Sequence, residues 1–217
     1  MYDIADVLPA GTVSELEPGT SLLIAGPAMS GKQELALDLL TAGLKRSNGL
    51  LLVTTNESAS SCIDDLEERA TSLDRDLVGV VDCSGSSQQQ AIRDIATQRV
   101  ASPGDLTGIS IGTAKLMQEL TSQEVSSVRH GLVSVSTLLQ YLDLDTVFKF
   151  LHIYTTRITD TQGLGLFTVD NVSHDPQTIN TVMNEFDGVI ELRETETSER
   201  EVHVRGVSDS SSGWQTF

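Results

Sequence analysis

Eight residues, "GPAMSGKQ" from Gly26 to Gln33, carry a spacing that can hold phosphate: glycine, four residues, glycine, lysine. In such a loop, successive backbone N–H groups and a helix N-terminus point at the anion while a lysine ammonium reaches its oxygens. Gly26, Ser30, Gly31 and Lys32 keep those parts, and Pro27 fits where no N–H is needed. A metal-dependent phosphoryl-transfer loop places a hydroxyl after the lysine to meet Mg²⁺. Here that residue is Gln33, whose amide oxygen stands on a longer stem. Mg²⁺ demands near-ideal octahedral geometry, so this substitution weakens the metal contact. The residues themselves leave two readings open: a nucleotide or polyphosphate site, or a relic loop that Lys32 caps from inside.

The second metal-holding position in such a site is a carboxylate closing a central hydrophobic strand. The best strand for it, "GLVSVSTLL", closes on Ser134, Ser136 and Thr137 without an acid, and Ser136 takes the expected aspartate position. No residue is assigned as a metal ligand, and a requirement for Mg²⁺ is left undecided. Asp170 closes a different strand, where it could approach the site or be a solvated loop acid. Glu57 follows the second strand at the edge where ligands sit in such sheets, and a carboxylate there can orient water toward a phosphate. Its alternative role is to begin the next helix, near the positive end of that helix's dipole. Without metal to stabilise the charge in transfer, a base alone gives slow chemistry.

These residues need a scaffold, and the hydrophobic pattern supplies one. "SLLIAG", "GLLLVTT", "LVGVVDC", "HGLVSVS", "GLGLFTVD" and "DGVIELRE" read as buried strands, mostly continuous apolar runs suited to a sheet covered on both faces. Between them, helical spacing predicts a helix from Lys32 to the "KRSNG" stretch and one after Glu57 carrying Ile63, Leu66 and Ala70. Further helices are expected over "QQQAIRDIATQRV" and after a glycine-containing loop in "TGISIGTAKLMQEL". A long helical region "TLLQYLDLDTVFKFLHIYTTRIT" breaks near Asp143 to Asp145, and another helix starts at Pro176. "REVHVRGV" is expected to pair antiparallel with "GVIELRE" across an acidic turn. The alternation predicts an α/β fold: a three-layer α/β/α domain with a mostly parallel sheet over residues 20–207 and a C-terminal antiparallel hairpin. Residues 1–19 read as an irregular lead-in and 208–217 as a mobile tail, whose Trp214 and Phe217 could anchor a partner or fold back.

On "LLIAGPAMSGKQ", "GLLLVTTNES", "RHGLVSVSTLL" and "VHVRGV" the chain resembles the KaiC, RadA and RecA group of P-loop ATPases, and within it the archaeal single-domain KaiC-like proteins. Its acidity is similar to that of their haloarchaeal members. The resemblance implies a RecA-like fold, ATP as ligand, and assembly into rings. It also implies that the final hairpin reaches the nucleotide of a neighbouring subunit, with His203 in a lysine's place and Arg205 kept. The same resemblance shows what has been lost: Asn56 replaces the first of two paired glutamates and leaves Glu57, Ser136 replaces the metal-associated aspartate, and Gln33 replaces the loop hydroxyl.

Composition narrows the function further. The 217 residues suffice for one sizeable α/β core. Thirty-one acidic against 14 basic residues give a net charge of -17 with no long basic run, which disfavours nucleic-acid partners. Scattered carboxylates suit a solvated surface in a salty cytoplasm. Two cysteines, Cys62 and Cys83, make neither a disulfide scaffold nor a metal site, and four histidines share no ligand spacing. No signal-peptide pattern and no membrane-spanning run is evident, so a cytoplasmic protein is expected. The expectation is a degenerate nucleotide-binding or pseudo-ATPase module with a regulatory or scaffolding role, acting as a homo-oligomer or on a signalling partner. Its rivals are a slow Mg-dependent ATPase using Glu57 and, less well supported, a recombination-like DNA-handling protein.

Overall fold

The computed structural model describes residues 1–44, 48–70, 73–85, 92, 94–123, 125–207 and 213–217. The basic pair Lys45 and Arg46, the "SSQQQ" stretch and residues 208–212 of the expected tail lie outside the described residues.

Eleven strands and six α-helices are formed among the described residues. Two short strands, β1 (Tyr2–Asp3) and β2 (Glu15–Leu16), pair as a separate ribbon. The main sheet collects β3 (Ser21–Gly26), β4 (Gly49–Thr54), β5 (Val78–Asp82), β6 (Ala96–Arg99), β7 (Val128–Val133), β8 (Leu164–Asp170), β9 (Gly188–Glu194), β10 (Arg200–Arg205) and β11 (Gln215–Thr216). Their order is β11-β10-β9-β3-β8-β7-β4-β5-β6. From β9 to β6 all neighbours run parallel, and β10 and β11 add antiparallel at one edge. The helices are α1 (Lys32–Thr41), α2 (Ala59–Arg69), α3 (Leu106–Ser122), α4 (Val135–Tyr141), α5 (Leu144–Asp160) and α6 (Pro176–Met183).

Alternation along each strand divides the core in two. Leu22, Ile24, Leu50, Leu52, Leu166 and Ile190 face one way, against α1, α2 and the N-terminal ribbon. Leu23, Ala25, Leu51, Val53, Phe167 and Val169 face the other, against α3 to α6. The result is the expected three-layer α/β/α architecture with a C-terminal antiparallel hairpin. Both cysteines are buried. Burial pushes the Cys83 thiol up to about 12, with the Asp82 carboxylate adding to it. Among the described residues, no helix is long and apolar enough to cross a membrane.

Four local expectations change. Ala96–Arg99, assigned to a helix by apolar residues at helical spacing, forms the edge strand β6, because β5 offers it a parallel ladder. Gly108 and Gly112 lie inside α3 and not in a loop before it. A Cβ at Gly112 would stand 3.2 Å from the Gln98 side chain, so the glycine lets α3 lie close on the sheet edge. The lead-in is part of the core: Tyr2, Ile4, Leu8, Val13 and Leu16 are buried beneath the helices of one face. Residues 213–217 fold back, with β11 pairing to β10 and Trp214 lying against Arg193, whose guanidinium carbon is 3.9 Å from the ring centre.

The other face encloses a polar residue that titrates. His130 on β7 is buried with neither ring nitrogen hydrogen-bonded among the described residues, edge-on to Tyr154 of α5. Burial, reinforced by the nearby Arg157 charge, lowers its pKa from 6.5 to about 4. The native state therefore holds His130 neutral while the unfolded chain takes up a proton below pH 6.5. The stability this confers is present above pH 6.5 and is lost as the pH falls toward 4. Urea titrations at pH about 7 and about 5 should differ by roughly 2 kcal/mol, and His130→Leu should remove most of that difference. Equal slopes in both proteins would contradict it.

Candidate functional site

The sheet order places a crevice at a predictable point. After β3 the chain passes through α1 and returns as β4, beyond the intervening β8 and β7. Ligands of open α/β sheets lie at the carboxyl ends of strands where the order reverses in this way. A cleft of about 570 Å³ opens there, lined by residues 28–34, Asn56, Ser134, Ser136, Thr168 and Asp170, with Arg69 at its rim. Gly26, Ser30, Gly31, Lys32 and Gln33 thus meet at one place.

The turn into α1 has few ways to be built. Met29 has φ 61° and Gly31 φ 86°, so the loop reverses through two left-handed residues. Gly31 tolerates this at no steric cost. Gly26 is required for a different reason: a Cβ there would stand 2.5 Å from the Ser30 hydroxyl. Side chains cap the other five helices, from Ser58, Asp105, Ser134, Asp143 and Asp175. The N-terminus of α1 has no side-chain cap, which leaves its first N–H groups open toward the cleft. Two hydroxyls of residues lining the same cleft, Ser30 Oγ and Thr168 Oγ1, are buried with no hydrogen-bond partner among the described residues.

Lys32 bends back over the loop. Its Nζ donates to the Pro27 carbonyl at 2.7 Å and stands 4.0 Å from the Asp170 carboxylate. Burial lowers the Lys32 pKa, and the attraction of Asp170 and Glu34 only partly offsets it. At Asp170 burial acts upward, but N–H groups of Val172 and Ser173 and the Lys32 charge hold the carboxyl below its ordinary range. Asp170 does approach the site, as one of the two sequence alternatives allowed.

The residues placed at metal and base positions are occupied with one another. The Gln33 amide nitrogen donates to Glu57 Oε1 at 2.5 Å, and the Ser61 hydroxyl donates to Glu57 Oε2 at 3.3 Å. Asn56 and Gln33 line the cleft, and Glu57, the expected water-orienting residue, is held by Gln33 beside it. β7 ends at Val133, and Ser136 lies inside α4. The strand-end position belongs to Ser134, two residues earlier than expected, because the apolar pattern continues through Val135 while the chain has already begun to turn. Ser134 Oγ accepts from the Ser136 N–H, and Ser136 Oγ accepts from the Asp170 N–H. Among the described residues no group of three or more His, Cys, Asp or Glu is arranged to hold a metal ion. The donor set does not fit a protein-held Mg²⁺: its serines are engaged in caps and turns, and Asp170 is already matched by Lys32. Phosphate fits better, since the orphan hydroxyls, open N–H groups and ammonium are all donors.

The hairpin expected to reach a neighbour's nucleotide holds His203 and Arg205 away from this chain's own cleft. His203 and Arg205 share Glu191, at 3.4 Å and 3.0 Å. Arg205 pairs in register with Val189, at the end of the hairpin remote from the cleft. A basic residue that the sequence reading missed, Arg200, opens β10 beside the loop, next to the residues that line the cleft and not among them. Its Nη1 stands 2.8 Å from where a Cβ on Gly31 would be. The antiparallel register was the signal: the strand's first residue returns to the carboxyl end of β9, beside the loop. Thr168 was missed for lack of any motif, being one polar residue in the apolar run of β8.

A family model described as a family of unknown function (DUF7504) matches residues 19–192. No curated protein matches the chain.

Gly31→Ala should lower stability by about 1–2 kcal/mol, because an L-residue must adopt the left-handed conformation. Urea denaturation of the variant should show the loss even with Arg200→Ala added, since removing the arginine relieves the clash and not the backbone cost.

Proposed function

The chain belongs to the DUF7504 family, and we propose that it is a degenerate KaiC-like nucleotide-binding module, a pseudo-ATPase that works by binding and not by turnover. The observation that carries this reading is the pair of buried, unpartnered hydroxyls, Ser30 Oγ and Thr168 Oγ1, in a cleft below the uncapped N-terminus of α1. A buried hydroxyl without a partner is costly, and a phosphate oxygen would supply the missing acceptor.

In the bound state, N–H groups at the start of α1 receive phosphate oxygens and the helix dipole favours the negative charge. Lys32 exchanges the Pro27 carbonyl, a neutral acceptor, for a charged one, which is the stronger bond. Turnover is disfavoured by the same geometry: Glu57 is held by Gln33 and Ser61 outside the cleft lining. The slow ATPase therefore lacks a positioned base, and the DNA-handling reading lacks a basic surface on a chain of net charge -17. A binding module of this kind acts by changing its own assembly or its contact with a regulatory partner when nucleotide is present.

Calorimetric titration with ATP at high salt, with and without Mg²⁺, tests the reading. Saturable binding is expected, weakened at least tenfold in Lys32→Ala, with phosphate release indistinguishable from the buffer blank. Absence of binding under both conditions would sink the proposal. Phosphate release that disappears in Glu57→Gln would replace it with the ATPase.

A further inference from the structure

We infer that Arg200 is a second cationic ligand of the loop, supplied by the same chain, and that it lets the cleft take a polyphosphate without a divalent metal. This rests on the nucleotide-binding reading and names how the charge of the ligand is met.

Three observations converge on Arg200. Its guanidinium lies on Gly31, so close that a Cβ there would meet Nη1 at 2.8 Å. Gly31 is the N-cap of α1, and Ser30 beside it carries one of the buried, unpartnered hydroxyls. The guanidinium and the uncapped N-terminus of α1 thus meet at Gly31, and both call for an anionic oxygen; the Ser30 hydroxyl is turned toward Gly26.

The arginine is also held in place. Arg200 opens β10 opposite Glu194, and its carbonyl accepts the N–H of Phe217 at 2.8 Å. The tail strand β11 therefore pins the backbone from which the guanidinium reaches. Neighbouring carboxylates have other partners: Glu201 pairs with Arg193, and Glu199 accepts from the Thr197 hydroxyl. No ion pair engages Arg200 among the described residues. Glu194 stands opposite Arg200 in the ladder without an ion pair to it among the described residues, and the guanidinium lies against Gly31 instead. A planar fork can bind phosphate through two parallel N–H donors, which a lysine cannot reproduce.

Mg²⁺ in phosphoryl-transfer sites neutralises the β- and γ-phosphates. Here Gln33 is engaged with Glu57 and Ser134 and Ser136 with backbone N–H groups, whereas two cations, Lys32 and Arg200, flank the loop.

Equilibrium titration of the full chain with a fluorescent ATP analogue in excess EDTA and high salt decides the matter, across wild type, Arg200→Ala, Arg200→Gln, Arg200→Lys and Lys149→Ala. Lys149 is exposed on α5, away from the cleft, and controls for loss of one positive charge. Wild type should bind without metal. Arg200→Ala and Arg200→Gln should weaken binding about tenfold or more, Arg200→Lys should fall between, and Lys149→Ala should stay within about twofold. Tripolyphosphate should compete and adenosine should not, since the contact is to phosphate. Wild-type binding with Arg200 variants no weaker than Lys149→Ala would overturn the role of Arg200 and leave the nucleotide reading standing. Wild-type binding that needs Mg²⁺ would overturn the metal-free claim. No binding in either condition would remove the nucleotide reading itself, and this inference with it.

Discussion

The constraint on which the site depends is the passage from β3 into α1. A strand covered on both faces ends at Gly26, and within five residues the chain must start a helix on one face of the sheet. Two left-handed residues, Met29 and Gly31, make that possible, and no side chain is left over to cap the helix. Every later feature of the cleft follows from this geometry. Ser30 turns its hydroxyl toward the place where Gly26 has no Cβ, Lys32 can fold back to the Pro27 carbonyl, and Arg200 can rest on Gly31.

Around that turn, the polar side chains bind one another. Gln33 joins the loop to Glu57 after β4, Ser136 joins α4 to the last backbone N–H of β8, and Lys32 approaches Asp170. The carboxyl ends of β3, β4, β7 and β8 are thereby tied through hydrogen bonds that in a metal-dependent enzyme would be kept open for the ion. Gln33 and the serines of the β7–α4 turn are thus engaged within the protein itself. A glutamine at 33 is long enough to reach Glu57, whereas a serine hydroxyl one bond from Cβ falls short of the distance that amide spans. An acid at 134 would add a third carboxylate near Asp170 and Glu34 with Lys32 alone to offset them.

The sequence made the sheet legible because its strands are continuous apolar runs, and the loop legible because glycines and lysine at fixed spacing have few other uses. It was misleading where two patterns overlap. Ile92, Ile95 and Ala96 fall at helical spacing, yet the open edge of β5 draws Ala96–Arg99 into a strand. Val135 continues the apolar run of β7 although the strand has ended, so Ser136 lies inside α4 and not at a strand end. Arg200 and Thr168 were invisible for a deeper reason. Neither belongs to a motif, and their relevance comes from pairing partners distant in sequence, which only register reveals.

The C-terminal strand gives this edge of the sheet its second function in the fold. β9 and β10 alone would expose β10 as an unpaired edge, open to pairing with another chain. β11 covers part of it, and Trp214 packs between Arg193 and His203 on the face opposite the buried Val202 and Val204. The same ladder fixes Arg200 through the Phe217 N–H. Covering the edge and positioning the cation over Gly31 are therefore one structural event. A chain that lost the last strand would both uncover β10 and release the Arg200 side chain that lies against the loop.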